Sequence, residues 1–105
     1  MIGAGKFGTM FLAQAERQRG IHIIGICDLN PEATRSNLAL ANWNLERYAA
    51  KSLDAAAKNG TTHVGDNWEA LVNHPAVEII IECTGNPMAA VTHILRAFDQ
   101  GKHVI

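Results

Sequence analysis

Short apolar runs alternate along the chain with stretches whose apolar residues recur every three or four positions, so strands and helices are predicted in turn. Ile21-His22-Ile23-Ile24-Gly25-Ile26-Cys27 is apolar at nearly every position, as a strand buried on both faces of a parallel sheet should be. Thr61–Val64, Val77–Cys83 and Lys102–Ile105 read as the third, fourth and fifth strands, and Met1-Ile2 as the end of the first. Phe7, Met10, Phe11 and Ala15 set a helical spacing that should run to Gly20, after Arg17 and Arg19. Asn30-Pro31-Glu32 supplies a cap, a proline at the first helical position and an acid in the first turn. From there Leu38, Ala41, Leu45, Tyr48, Leu53 and Ala56 keep a helical stripe until Lys58-Asn59-Gly60, as one helix or as two broken at Asn42-Trp43-Asn44. That length exceeds a usual crossover and reads as a helical insertion between strands two and three. Asp66 and Glu69 bracket the start of a brief helix that His74-Pro75 ends. Asn86-Pro87 opens the last helix, with Ala90, Val91, Ile94, Leu95 and Phe98 on one side and Gly101 past its end. With right-handed crossovers this alternation predicts an α/β fold, a doubly wound parallel sheet in the order 3-2-1-4-5.

Composition narrows the class. A chain of 105 residues with 48% apolar and 18% charged residues has the makings of one core and excludes disorder. Nine basic against ten acidic residues leave no cationic footprint for nucleic acid or an anionic membrane. Two cysteines make no disulfide framework, which places the expectation in the reducing cytoplasm. Only Met1-Ile2 precede Gly3, and Lys102–Ile105 resemble a strand just beginning. The sequence therefore reads as one domain, residues 1–105, truncated at both ends of a longer protein. His22, His63, His74, His93 and His103 show no metal-ligand spacing with the cysteines, so no metal site is expected.

The chemistry-bearing signal is Gly3-Ala4-Gly5-Lys6-Phe7-Gly8, a G-x-G-x-x-G turn that leaves a strand and opens a helix. Gly3 would make the tight turn, Gly5 would let a pyrophosphate approach the backbone, and Gly8 would let the helix close on the sheet. The N–H groups of the helix start and its positive end would hold the diphosphate. Asp28 ends the next strand twenty residues after Gly8, where a carboxylate accepts both hydroxyls of an adenosine ribose. The competing reading makes Asp28 a turn cap for Asn30. An acid here repels a 2′-phosphate and favours NAD, but Arg35 on the next helix offers a counter-charge, so NAD and NADP both stay open. Lys6 is a candidate phosphate contact or simply a solvated lysine. Thr84-Gly85-Asn86-Pro87 should face the same crevice from the neighbouring strand, with Thr84 and Asn86 toward a nicotinamide ribose or amide. Its plainer role is to end a strand and cap a helix. Glu82 is a candidate to support these residues from behind, while Trp43, Tyr48 and Trp68 are expected to pack rather than stack on bases.

Ile2–Leu12, Cys27-Asp28-Leu29-Asn30-Pro31, Gly60-Thr61-Thr62-His63-Val64, Cys83-Thr84-Gly85-Asn86-Pro87 and Gly101–Ile105 together resemble the N-terminal domain of homoserine-dehydrogenase-like oxidoreductases. The likeness is strongest to the group with a C-terminal SAF domain, which includes the NADPH-dependent deoxyxylulose-phosphate reductoisomerase-like enzymes, and it covers nearly all 105 residues. It implies a Rossmann domain holding a nicotinamide cofactor through Gly3, Ala4, Gly5, Lys6, Phe7, Gly8, Asp28, Thr84, Gly85 and Asn86. It also implies that substrate and catalytic groups come from a following domain, so no catalytic residue is expected within 1–105. Any self-association would run through those further parts. Asp28 departs from the NADPH preference of the reductoisomerase-like members. Two other functions compete with an oxidoreductase on a small polar hydroxy or carbonyl substrate, phosphorylated or not. One is a non-catalytic NAD(H)-sensing domain, which the protein following residue 105 would distinguish. The other is a methyltransferase, disfavoured because Met1-Ile2 stand where its acid is expected.

Overall fold

The computed structural model describes every residue from Met1 to Ile105. Its elements are helix α1 (Lys6–Ala15), strand β1 (Gly25–Cys27), helix α2 (Pro31–Leu40), a 3-10 turn (Leu45–Tyr48), helix α3 (Leu53–Asn59) and strand β2 (His63–Gly65), followed by helix α4 (Trp68–Asn73), strand β3 (Ile79–Ile80), helix α5 (Pro87–Asp99) and strand β4 (His103–Val104). The strands form two parallel pairs, β1 with β2 (Ile26 opposite Val64) and β3 with β4 (Ile80 opposite Val104). Between the pairs lies Ile2, bridged in parallel to Cys27 on one side and to Glu82 on the other. Its N–H donates to Ile81 O at 2.8 Å and its carbonyl accepts from Cys83 N at 2.7 Å. On the other flank Gly3 N donates to Cys27 O at 2.8 Å and Cys27 N to Met1 O at 2.9 Å.

Consecutive strand residues point to opposite faces, and each face has its own core. Met1, Leu12, Ile26, Leu38, Trp43, Tyr48 and Val64 pack under α1 and α2. Ile2, Cys27, Leu71, Val72, Val77, Ile80 and Ala97 pack under α4 and α5. Cys27 belongs to the second cluster and Cys83 packs against the first, so the two thiols are free and on opposite sides of the backbone between them. No helix is long and apolar enough to cross a membrane.

Several elements are shorter than predicted. The second predicted strand contracts to Gly25–Cys27, with Ile21 exposed outside any ladder. Helix α1 stops at Ala15, where Arg17 N–H turns back to Gln14 O and Gln18 N–H to Ala15 O, leaving Arg17 and Arg19 beyond it. Its buried face is Gly8, Leu12 and Ala15, not the predicted Phe7 and Met10, which are 73% and 56% exposed. Gly8 decides this: an added Cβ there would lie 2.7 Å from Gly3 O, so the bare side of the helix is the one that meets the turn. Phe7 and Met10 are thereby rolled outward.

The insertion is two helices rather than one. Asn42 adopts φ +65°, a left-handed conformation that asparagine tolerates and that ends a helix. The chain then turns Trp43 inward, and its Nε1–H donates to Leu12 O at 3.1 Å. Ser52 restarts helical structure by accepting from Ala55 N, and Gly60 ends it at φ +70°. Helix α4 is capped by Asn67, not Asp66, through a 3.0 Å bond from Ala70 N.

Candidate functional site

The Gly3–Gly8 turn sits where Ile2 leaves the sheet. Gly3 has φ +90°, and a Cβ built there would meet Cys83 C, Cys83 O and Thr84 N at 2.6–2.7 Å. The turn therefore lies directly against the Cys83–Thr84 peptide. Gly5 is the opposite case: exposed, with no atom within 4 Å of where its Cβ would stand. It caps α1 without a side chain, and the first turn of that helix holds no acid. Helices α2, α3, α4 and α5 are each capped by a side chain, from Asn30, Ser52, Asn67 and Asn86. The leading N–H groups of α1 thus have no side-chain acceptor, and its positive end faces open space between the exposed residues Lys6 and Phe7.

Asp28 follows β1 and is half-buried, its own N–H donating to Gly65 O at 3.0 Å. Its Oδ2 accepts the Ala4 N–H at 2.7 Å, which ties the strand tip to the glycine turn. Its Oδ1 accepts the Asn30 N–H at 2.9 Å, the turn-capping role weighed against ribose binding. The two roles are compatible, because each ionised carboxylate oxygen keeps a second lone pair. Arg35 is engaged elsewhere: Nη1 pairs with Glu32 Oε1 at 2.8 Å and Nη2 donates to Val64 O at 2.9 Å.

The third component is the loop between Glu82 and α5. Gly85 takes φ +67°, and Asn86 N donates to Thr84 Oγ1 at 3.2 Å. Asn86 Oδ1 accepts from Met88 N and Ala89 N at 3.1 and 3.2 Å, so its carbonyl oxygen serves the helix start. Gly3, Ala4, Gly5, Asp28 and Thr84 come together at the same end of the strands, with Lys6, Phe7, Gly85 and Asn86 around them and Gly8 beneath.

Sequence reasoning gave His93 no site role. It reaches back from α5 so that Nδ1 lies 3.2 Å from Glu82 Oε1, and its ring centroid is 4.6 Å from that of Trp68. Glu and His eleven residues apart match no local motif; only the return of α5 over the sheet brings them together. Of the remaining histidines, His22 contacts Thr61 O, His63 contacts Ala50 O and His74 contacts Asp54, while His103 is exposed on β4. No three His, Cys, Asp or Glu side chains converge as metal ligands would. Burial pushes the Cys27 thiol up to about 11 and raises Cys83 as well. Burial also lowers Lys102, whose ammonium donates to His74 O and Val77 O at the far end of the fold.

A stretch of 63 residues is 33% identical to a homoserine dehydrogenase of Methylobacillus glycogenes, covering 58% of this chain and 15% of that protein. The family model of oxidoreductases with an NAD-binding Rossmann fold, the GFO/IDH/MocA family, matches residues 1–105. An open glycine turn on an uncapped helix, an acid at the next strand tip and this whole-length match agree, and the chain belongs to that NAD-binding oxidoreductase family.

Proposed function

We propose that residues 1–105 are one dinucleotide-binding domain that positions NAD for hydride exchange with a small polar hydroxy or carbonyl substrate. The observation that carries this is the uncapped start of α1 at Gly5, beside a carboxylate already bonded to the Ala4 N–H. The donors of that first turn suit a diphosphate, and the empty space at Gly5 is what such a group would fill. Asp28 would take the adenosine ribose hydroxyls, and the Thr84-Gly85-Asn86 loop the nicotinamide half. Lys6 is a further phosphate contact in this reading. The bound cofactor would supply the hydride, and these residues would supply binding and orientation.

NAD is favoured over NADP. At the ribose Asp28 would repel a 2′-phosphate, and the candidate counter-charge, Arg35, is held by Glu32 and the Val64 carbonyl. The flanking of Ile2 by Cys27 and Glu82 supports one continuous sheet in the order 3-2-1-4-5. The match spans 15% of the homoserine dehydrogenase, so substrate-binding and catalytic groups are assigned to protein outside these residues. A homoserine-dehydrogenase-like reaction is the reading that relative supports; a reductoisomerase-like one rests on the motifs alone. Two separated free thiols suit a reducing cytoplasm. Calorimetric titration with NADH and NADPH is the test: NADH should bind more tightly, and absence of binding by either would refute the reading.

A further inference from the structure

We infer that Glu82 and His93 form a buried positioning pair that sets the Cys83–Thr84 peptide against the glycine turn, and so fixes the nicotinamide side of the cleft. The inference rests on the dinucleotide reading above and adds residues that do not themselves touch the cofactor. The two side chains are 9% and 8% exposed, uncommon for a carboxylate and a histidine that no metal requires. A carboxylate accepts through both oxygens, and both are used here. Oε1 faces His93 Nδ1 at 3.2 Å, and Oε2 accepts the Thr84 N–H at 3.3 Å. That same Thr84 nitrogen lies 2.7 Å from where a Gly3 Cβ would stand. The peptide is therefore wedged between the glycine turn on one side and the Glu82 carboxylate on the other.

The chain of contacts closes on itself. Thr84 Oγ1 accepts from Asn86 N, Asn86 caps α5, and α5 returns His93 to Glu82, with Trp68 of α4 against the imidazole. Removing the carboxylate leaves the Thr84 N–H and the His93 ring buried without their acceptor, and the loop is free to shift away from Gly3. The adenosine side is anchored separately. Ala4 N–H is held by Asp28, and Gly3 N–H by Cys27 O, neither through Glu82. Loss of the pair should then weaken the half of the site beyond the pyrophosphate and spare the rest.

The experiment compares NADH with ADP, which carries the adenosine and diphosphate but lacks the nicotinamide riboside, on the wild-type chain and on Glu82→Leu, Glu82→Gln and His93→Leu. Glu82→Leu and His93→Leu should weaken NADH about tenfold or more while ADP affinity stays within about twofold. Glu82→Gln retains an acceptor for Thr84 and should recover most NADH affinity. Equal losses for NADH and ADP, or none for NADH in a folded Glu82→Leu or His93→Leu chain, would overturn the positioning role. If neither leucine variant folds, His93→Asn, which keeps a polar side chain too short to reach Glu82, takes their place: an NADH-to-ADP affinity ratio about tenfold or more below wild type would support the role, and an unchanged ratio would overturn it. Failure of the wild-type chain to bind either ligand would instead overturn the dinucleotide reading, and this inference with it.

Discussion

Gly3 and Gly5 stand two residues apart and should fail in opposite ways. At Gly3 an alanine must adopt φ +90° and place its Cβ 2.6–2.7 Å from three backbone atoms of Cys83 and Thr84. Left-handed backbone costs a non-glycine residue roughly 1–2 kcal/mol. Carbon contacts are comfortable only near ~3.5–4.0 Å, so the two segments must part by close to ~1 Å, an overpacking cost of about 1–3 kcal/mol. Together these give about 2–5 kcal/mol out of a usual total of ~5–15. For a domain near this size that lowers the melting temperature by more than about 8 °C. At Gly5 the φ of −69° is ordinary and nothing lies within 4 Å, so valine should cost stability no more than about 1 kcal/mol. Its side chain would, however, fill the space before the α1 N–H groups. Loss of two hydrogen bonds to a charged diphosphate, at ~1.5–3 kcal/mol each, weakens binding about a hundredfold or more. Thermal unfolding by circular dichroism and calorimetric titration with NADH read the two effects separately. Gly5→Val that stays folded and binds NADH normally refutes the phosphate site, and Gly3→Ala with an unchanged melting temperature refutes the close packing of the turn on Thr84.

Three further outcomes follow from the same contacts. Asp28→Ser should shift the NADPH-to-NADH affinity ratio toward NADPH by roughly 5- to 150-fold, and Glu32→Gln added to it should shift the ratio further by releasing Arg35; parallel changes in both affinities would remove Asp28 from the ribose. Trp43→Ala should destabilise the chain by ~3–5 kcal/mol in urea unfolding, since it empties the core beneath α1 and α2 and strips a donor from Leu12 O; a loss below about 1 kcal/mol would contradict that packing. Cys27 ionises only as pH rises toward about 11, so iodoacetamide at about pH 8 should label it far more slowly in the native chain than in denaturant; a Cys27–Cys83 crosslink in the native chain would contradict their placement on opposite faces.

The local geometry of the candidate site was legible because its signals are local. A glycine turn before a helix, an acid at the following strand tip and an Asn-Pro helix start each follow from backbone requirements within a few residues, and Gly3, Gly5, Asp28 and Asn86 stand where those requirements put them. What the chain does not encode locally was misread or missed. The Glu82–His93 pair joins a strand end to the second turn of a helix and exists only through tertiary return. Strand lengths were overestimated because an apolar run such as Ile21–Cys27 shows which residues can be buried, not how far a neighbouring strand accompanies them; β2 reaches only from His63 to Gly65.

Helical faces illustrate the same limit more sharply. Periodicity fixes the angle between residues around a helix but not which side meets the sheet, and in both α1 and α5 the most apolar side is not the innermost. In α1 the inner side is set by Gly8 at the Gly3 carbonyl. In α5 it is set by His93 at Glu82 and by Ala97, which is fully buried, while Val91, Leu95 and Phe98 face outward. Where helix and sheet come closest a small residue takes the inner position, as Gly8 does at the Gly3 carbonyl, because a larger side chain would hold them apart. Gly8 and the Glu82–His93 contact also lie directly behind the glycine turn and the Thr84 peptide. In the dinucleotide reading, packing at the two helix starts and cofactor geometry are therefore one constraint, met by Gly8 on one side and by the Glu82–His93 contact on the other.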